Sequence, residues 1–298
     1  MAYFLLVLCI VSVSAQSPLK KLYQRKSDKG VLLFSALTAL VAALFFGGGA
    51  LFSDNMGFEI GALPYSIAFG ICYAVCIISQ MLALGCGSLA LTSLFGSYSL
   101  IFPTVYGLLF RDASVYLTQV IGVVLLLGSL YLTNMRPGAK SEGEPKVAFS
   151  WKWLILATLM AVANGGCTII QQEQQLKFNG AYKNEFMFIA LMIAVVSCVA
   201  FAFVRERRDF AVVLRHGTFP AVLVGVCNGA ANLLVMIIAG VMIPVFVFFP
   251  IISAGGLLIS YLISVFIFKE SFGKMQKLGI VIGMIALVFL NLEILQLF

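Results

Sequence analysis

Asn228 and Asn232 stand four residues apart in an otherwise apolar stretch, a spacing that puts both amides on one helical face. Other polar side chains stand isolated in further apolar runs: Ser14 and Gln16, Gln80, Ser97 and Tyr98, Asn164, and Ser253. In hydrocarbon such groups are costly, and they turn toward a bundle interior or a water-filled path. Amides, hydroxyls and a phenol offer donors and acceptors without a fixed charge. The chemistry they suit is recognition of a polar solute rather than bond breaking. These nine residues are the candidate substrate-binding set. Their plainer use is hydrogen bonding between helices, which averages about 0.6 kcal/mol per pair.

No carboxylate falls in the middle of an apolar run; Asp112, Glu173 and Glu270 stand near run ends. Glu173, in IIQQEQQLK, is the best-placed proton carrier, with a solvated helix end as its plainer role. Glu270 beside Lys269 reads as a helix-end pair. His216 is the single histidine, at a loop edge. Cys9, Cys72, Cys76, Cys86, Cys167, Cys198 and Cys227 all lie in apolar runs, where packing is their ordinary role. No metal centre, cofactor or disulfide framework is expected from this pattern. There is no HExxH, no GxSxG and no pair of intramembrane acids, so an enzyme is not expected. Without a nucleotide-binding loop, ATP drive within the chain has no support either.

The elements that must position these residues follow from composition. The chain of 298 residues is 62% hydrophobic and 10% charged, against about a quarter charged in soluble domains. Such a chain is an integral, multi-pass α-helical protein of the plasma (inner) membrane. Long apolar runs, rather than alternating ~10-residue segments, exclude a β-barrel. The net charge of +7 reads as basic loops on one membrane face, not as a nucleic-acid surface.

Crossing ~30 Å of hydrocarbon takes ~20 apolar residues. Runs of about that length fall at 2–22, 30–50, 63–84, 88–110, 114–134, 151–175, 184–204, 217–239, 243–268 and 274–297. The one long polar break, NMRPGAKSEGEPKVAFS, holds two prolines, two glycines and five charges. It divides the chain into residues 1–134, a connection at 135–150, and residues 151–298. The halves repeat. Gly61 and Pro64 match Gly217 and Pro220, and Gln119, Gly122 and Asn134 match Gln276, Gly279 and Asn291. LLFRD, ending at Asp112, meets FIFKE, ending at Glu270. Five spans per half is odd, so the second half enters from the opposite face. The expected fold is therefore all-α, with ten transmembrane helices as two inverted five-helix repeats. Residues 2–20 could also be read as a secretory leader ending near Ala15. The repeat argues that they are the first span, because the halves would otherwise hold four and five.

Sixteen of the nineteen Lys and Arg fall in loops after odd-numbered spans, starting with Lys20 and Lys21; Arg111, Lys177 and Lys183 fall after even ones. Basic loops stay cytoplasmic, which puts both termini outside.

Ten spans, the five-plus-five duplication, and a fourth helix of each half ending LLFRD and FIFKE resemble the drug/metabolite transporter superfamily, its EamA-type members above all. Pro250, about twenty residues before Glu270, stands where that family's ninth helix carries a proline. Pro103 is later in its span than the family pattern has it, and the family's usual orientation keeps both termini cytoplasmic. The small multidrug members use a glutamate in the middle of the first helix. Here that region reads Ser14-Ala15-Gln16, so proton-for-cation exchange by that route is not expected. The resemblance implies a secondary transporter, an exporter of a small polar or amphipathic metabolite such as an amino acid, working by alternating access. A proton or other ion could couple it, and Gly279 with Gly283 could form either a homodimer face or an internal contact. The alternative on the same fold is a flippase for a lipid or polyprenyl-phosphate-linked substrate, with Lys20 and Lys21 at its head group.

Overall fold

The computed structural model describes residues 2–27, 29–51, 57, 59–110, 117–134, 150–179, 181–241, 245–270 and 272–289, and among them the regular structure is helical, with no strand. Asp112 with Arg111, residues 135–149 of the connection, and Asn291 lie outside the described residues.

The first half supplies α1 (Ala2–Lys26), α2 (Val31–Leu51) and α3 (Leu63–Cys86). Next come α4 (Leu89–Ser97) and α5 (Ile101–Phe110), joined by a 3-10 turn at Tyr98–Leu100, and then α6 (Leu117–Asn134). The second half supplies α7 (Trp151–Lys177) and α8 (Lys183–Arg205). The single turn α9 (Phe210–Val212) runs through a π turn at Val213–Gly217 into α10 (Thr218–Val241). α11 (Val245–Phe266) and α12 (Lys274–Phe289) follow.

Among the described residues, five stretches are long and apolar enough to cross a membrane: Val31–Leu51, Ile60–Cys86, Trp151–Lys177, Lys183–Arg205 and Phe210–Leu234. Shorter apolar helices occupy Leu89–Pro103, Val120–Ser129 and Ile252–Phe266. Their outer faces carry large apolar side chains such as Leu44, Ile155, Phe201 and Phe203, each more than half exposed. A surface of that kind suits lipid rather than water.

Helix starts are fixed by acceptors brought from elsewhere in the chain. The Glu206 carboxylate, just past α8, accepts from the amides of Leu32 and Leu33 at the start of α2. Glu270, past α11, accepts from the amide of Leu89 at the start of α4. Each carboxylate satisfies amides that a helix terminus leaves without a partner, at its electropositive end.

The inner helices pack in pairs: α1 with α10, α3 with α7, α2 with α8, α2 with α10, α3 with α8, α1 with α11, α4 with α7, α4 with α11, and α6 with α12. Among the described residues, two glycines let a helix meet the backbone of its neighbour. A Cβ at Gly70 would lie 2.5 Å from the carbonyl oxygen of Ala190, joining α3 to α8. One at Gly225 would lie 2.8 Å from that of Thr38, joining α10 to α2. Small residues let backbones meet this way inside membranes.

Candidate functional site

A cavity of about 300 Å³ lies between α1, α3, α4, α7, α10 and α11. Along α1 it is reached by Val13, Ser14, Gln16, Ser17 and Lys20, about 10 Å of helix at 1.5 Å per residue. Eight of the nine candidate residues line it: Ser14, Gln16, Gln80, Ser97, Asn164, Asn228, Asn232 and Ser253. Tyr73, Phe69, Met160 and Leu257 supply the apolar part of the wall.

The polar groups form two networks. On one side Asn228 Nδ2 donates to Gln16 Oε1 at 3.2 Å, linking α10 to α1. Asn232 Nδ2 donates back to the Asn228 carbonyl oxygen at 2.9 Å and faces its Oδ1 at 3.3 Å. The four-residue spacing therefore does put both amides on one face. Gln80 Nε2 donates to Ser17 Oγ at 3.2 Å, tying α3 to α1. On the other side Asn164 Nδ2 donates to Ser99 Oγ at 2.8 Å, tying α7 to the turn between α4 and α5. Pro18, inside α1, has no N–H to give the Ser14 carbonyl four residues earlier, so a backbone acceptor loses its helical partner beside the cavity.

Tyr98 is corrected. Its hydroxyl lies 2.7 Å from Ser129 Oγ on α6, and Ser129 donates onward to the Gly279 carbonyl at 2.6 Å. The ring is buried in the core with Phe95 and Trp153 and is not part of the lining. One residue along a helix turns 100°, enough to separate Tyr98 from Ser97.

Lys20 and Lys21, which the sequence allows either in the first basic loop or at the end of the first span, lie in α1, which continues to Lys26, and both are buried, 4% and 7% exposed. Removing them from the loop leaves the basic bias between faces unchanged in sign. Lys21 forms an ion pair with Glu270 and donates to the Gly87 carbonyl at 3.0 Å. Glu270 thus pairs with Lys21, not with its neighbour Lys269. It also accepts from Ser264 Oγ. Arg25 closes the cluster, donating to the Phe268 carbonyl at 2.7 Å with its guanidinium 4.6 Å from that residue's ring centre. Lys20 turns the other way, into the cavity, where its Nζ donates to Gln80 Oε1. A lysine at membrane depth costs about 2.5–3.5 kcal/mol on insertion scales, so a position facing a polar cavity is the one it tolerates.

Other lining residues that the sequence did not single out are Ser93, Ser99, Thr168, Gln171 and Ser260. Helical spacing was the signal: Ser93 is four before Ser97, Thr168 and Gln171 are four and seven after Asn164, and Ser260 is seven after Ser253. Ser93 Oγ is buried and has no hydrogen-bond partner. Glu173 is not among the lining residues. Cys76 and Cys167 are, as unpaired thiols. Among the described residues no three His, Cys, Asp or Glu side chains gather into a metal-binding group. The Gly279/Gly283 face is filled internally: a Cβ at Gly283 would lie 2.7 Å from Leu94 and 2.8 Å from Ser129 Oγ.

Residues 151–292 match the model of the EamA-like transporter family. The match covers just under half of the chain, and over those residues the chain is similar to that family of the drug/metabolite transporter superfamily. One solved protein structure superposes over 99% of this chain and 98% of its own, with a TM-score of 0.64 at 13% identity. At that identity the likeness concerns the fold alone. No curated protein matches the sequence. The family match over this part and the apolar helices together indicate an integral membrane protein.

Proposed function

We propose that the chain is a secondary transporter, an exporter by family resemblance, that carries a small polar or amphipathic metabolite through this cavity by alternating access. In this reading residues 1–134 and 151–298 are two inverted five-helix units joined by 135–150. The basic odd-numbered loops face the cytoplasm.

The observation that carries the reading is the make-up of the cavity. Three helices of the first half (α1, α3, α4) and three of the second (α7, α10, α11) enclose it, and eight isolated polar side chains from both halves converge there. A binding site at the interface of inverted repeats has this arrangement. The helix pairing gives further support. Exchanging α1 with α7, α2 with α8, α3 with α10, α4 with α11 and α6 with α12 maps the nine pairs named above onto one another or onto themselves, while the smaller α1–α3, α2–α3 and α11–α12 contacts have no counterpart of similar extent among the described residues. The α1–α10 pair becomes α7–α3, α2–α10 becomes α8–α3, and α1–α11 becomes α7–α4. The pairs α2–α8, α4–α11 and α6–α12 map onto themselves. The helix pairs joined at Gly70 and at Gly225, α3–α8 and α10–α2, exchange as well.

The volume of about 300 Å³ stands at the small end of ligand pockets, which run to about 1,000 Å³. It suits a compact metabolite and gives no room to a polyprenyl chain. The test is uptake of labelled metabolites by proteoliposomes, run beside a fluorescent-lipid scrambling assay. Metabolite uptake above protein-free liposomes supports the proposal. Lipid movement with no metabolite uptake overturns it in favour of a flippase.

A further inference from the structure

We infer that Lys20 is the fixed positive charge onto which the substrate docks, and that the substrate is a small metabolite bearing one carboxylate. This rests on the transport reading above and narrows its substrate class.

The argument starts from charge. Among the described lining residues Lys20 is the only ionisable side chain apart from tyrosine and cysteine, and no Asp or Glu shares the cavity. The ion pair found among the described residues is Lys21–Glu270. It uses the neighbouring lysine, which points 100° around the helix. The hydrogen bond of the Lys20 ammonium is to the neutral Gln80 side chain, although an ammonium carries three donors. A buried cation is kept only where an opposite charge or a dense set of acceptors answers it. Within the chain Gln80 answers it in part. A substrate anion completes it.

The remaining groups fit the same substrate. Gln80 is itself held by Ser17 at 3.2 Å. Ser93, whose buried hydroxyl has no hydrogen-bond partner among the described residues, belongs to the same lining. Asn228, bonded to Gln16 on α1, and Asn232, one turn further along α10, would hold the neutral polar part. A single lysine answers a single negative charge. A phosphate monoester carries about −1.5 to −2 at pH 7 and would leave part of its charge uncompensated, so a carboxylate fits better.

The test uses matched probes on propyl, butyl and phenyl skeletons: carboxylate, primary amide, amine and phosphate monoester of each. Proteoliposome uptake is measured for wild type, Lys20→Met, Lys20→Arg and Lys20→Glu. Wild type is expected to prefer carboxylates, and Lys20→Met to lose roughly ten- to hundred-fold of that uptake, the scale of a lost charge-assisted contact. Lys20→Arg keeps most of it, and Lys20→Glu reverses the preference toward the amines, a switch that a merely structural lysine would not produce. Wild-type uptake of amides or amines with unchanged selectivity in Lys20→Met overturns the inference and leaves the transport reading standing. Preference for the phosphate monoesters overturns the carboxylate assignment. Uptake of no probe by any correctly folded variant counts against the transport reading itself and takes this inference with it.

Discussion

Removing Glu270 should damage the protein more than removing its partner Lys21. The two side chains are each 9% exposed, so the pair is effectively buried. Glu270→Leu strands the Lys21 ammonium with the Gly87 carbonyl and the face of Phe268, 5.6 Å away. Breaking a buried pair in that direction costs about 3–5 kcal/mol. The same change withdraws the acceptor at the start of α4, worth about 1 kcal/mol. Lys21→Met leaves the carboxylate better supported, because the Leu89 amide at 3.0 Å and the Ser264 hydroxyl remain, and it sits at a helix N-terminus. That loss is about 1–3 kcal/mol, the scale of one charged hydrogen bond. The double variant Lys21→Met/Glu270→Leu strands nothing. Replacing a buried pair by apolar groups is often neutral, so it should lose only the helix cap. At roughly 2 °C per kcal/mol for a chain of this size, Glu270→Leu lowers Tm by roughly 8–12 °C and Lys21→Met by roughly 2–6 °C. The double variant should stay within roughly 2–4 °C of wild type. Thermal unfolding of the detergent-purified protein, followed by fluorescence of Trp151 and Trp153, reads this directly. A Lys21→Met loss equal to or larger than that of Glu270→Leu, or a double variant as unstable as Glu270→Leu, would refute the reasoning.

Three further outcomes follow from the packing and the site. Gly70→Val forces a side chain against the Ala190 carbonyl 2.5 Å away and should cost at least about 1–3 kcal/mol. Gly128→Ala meets nothing within 4 Å and should be neutral or stabilising by up to about 1 kcal/mol; the two melting curves check both. Asn228→Ala and Asn232→Ala should each raise KM about fivefold for the transported metabolite, the equivalent of about 1 kcal/mol per lost hydrogen bond, and unchanged kinetics in both would remove them from the site. Tyr98→Phe should lower stability by about 1 kcal/mol while transport kinetics stay at wild-type values, because its hydroxyl serves Ser129 and not the cavity.

Much of the site was legible in the sequence because hydrocarbon makes polar groups conspicuous. Asn164, Asn228, Gln80 and Ser253 stand out against apolar neighbours, and the structure brings them around one cavity. Where one helix face begins and ends was not legible. Ser97 and Tyr98 are adjacent and equally polar on paper, yet Ser97 faces the cavity and Tyr98 faces α6. The two lysines were open to two readings for a related reason. A run such as SPLKKLYQRK reads as a span ending in a basic loop, whereas α1 continues to Lys26 and sends Lys20 and Lys21 to different partners. The partner of Lys21 lies 249 residues away, and local pattern carries no trace of it. The ten apolar runs were visible, but only five of the described stretches meet the length and composition of a membrane crossing on their own. The 3-10 turn at Tyr98–Leu100 breaks one of the others, in a segment whose composition stays apolar throughout.

The most direct test of transport by alternating access through this cavity is two-sided accessibility at a lining position. Ser97→Cys, in a background from which the seven native cysteines have been removed, would be exposed to a membrane-impermeant maleimide from either face of oriented vesicles. The account predicts labelling from both faces, slowed by the transported metabolite. Labelling from one face only, whatever metabolite is present, would contradict it.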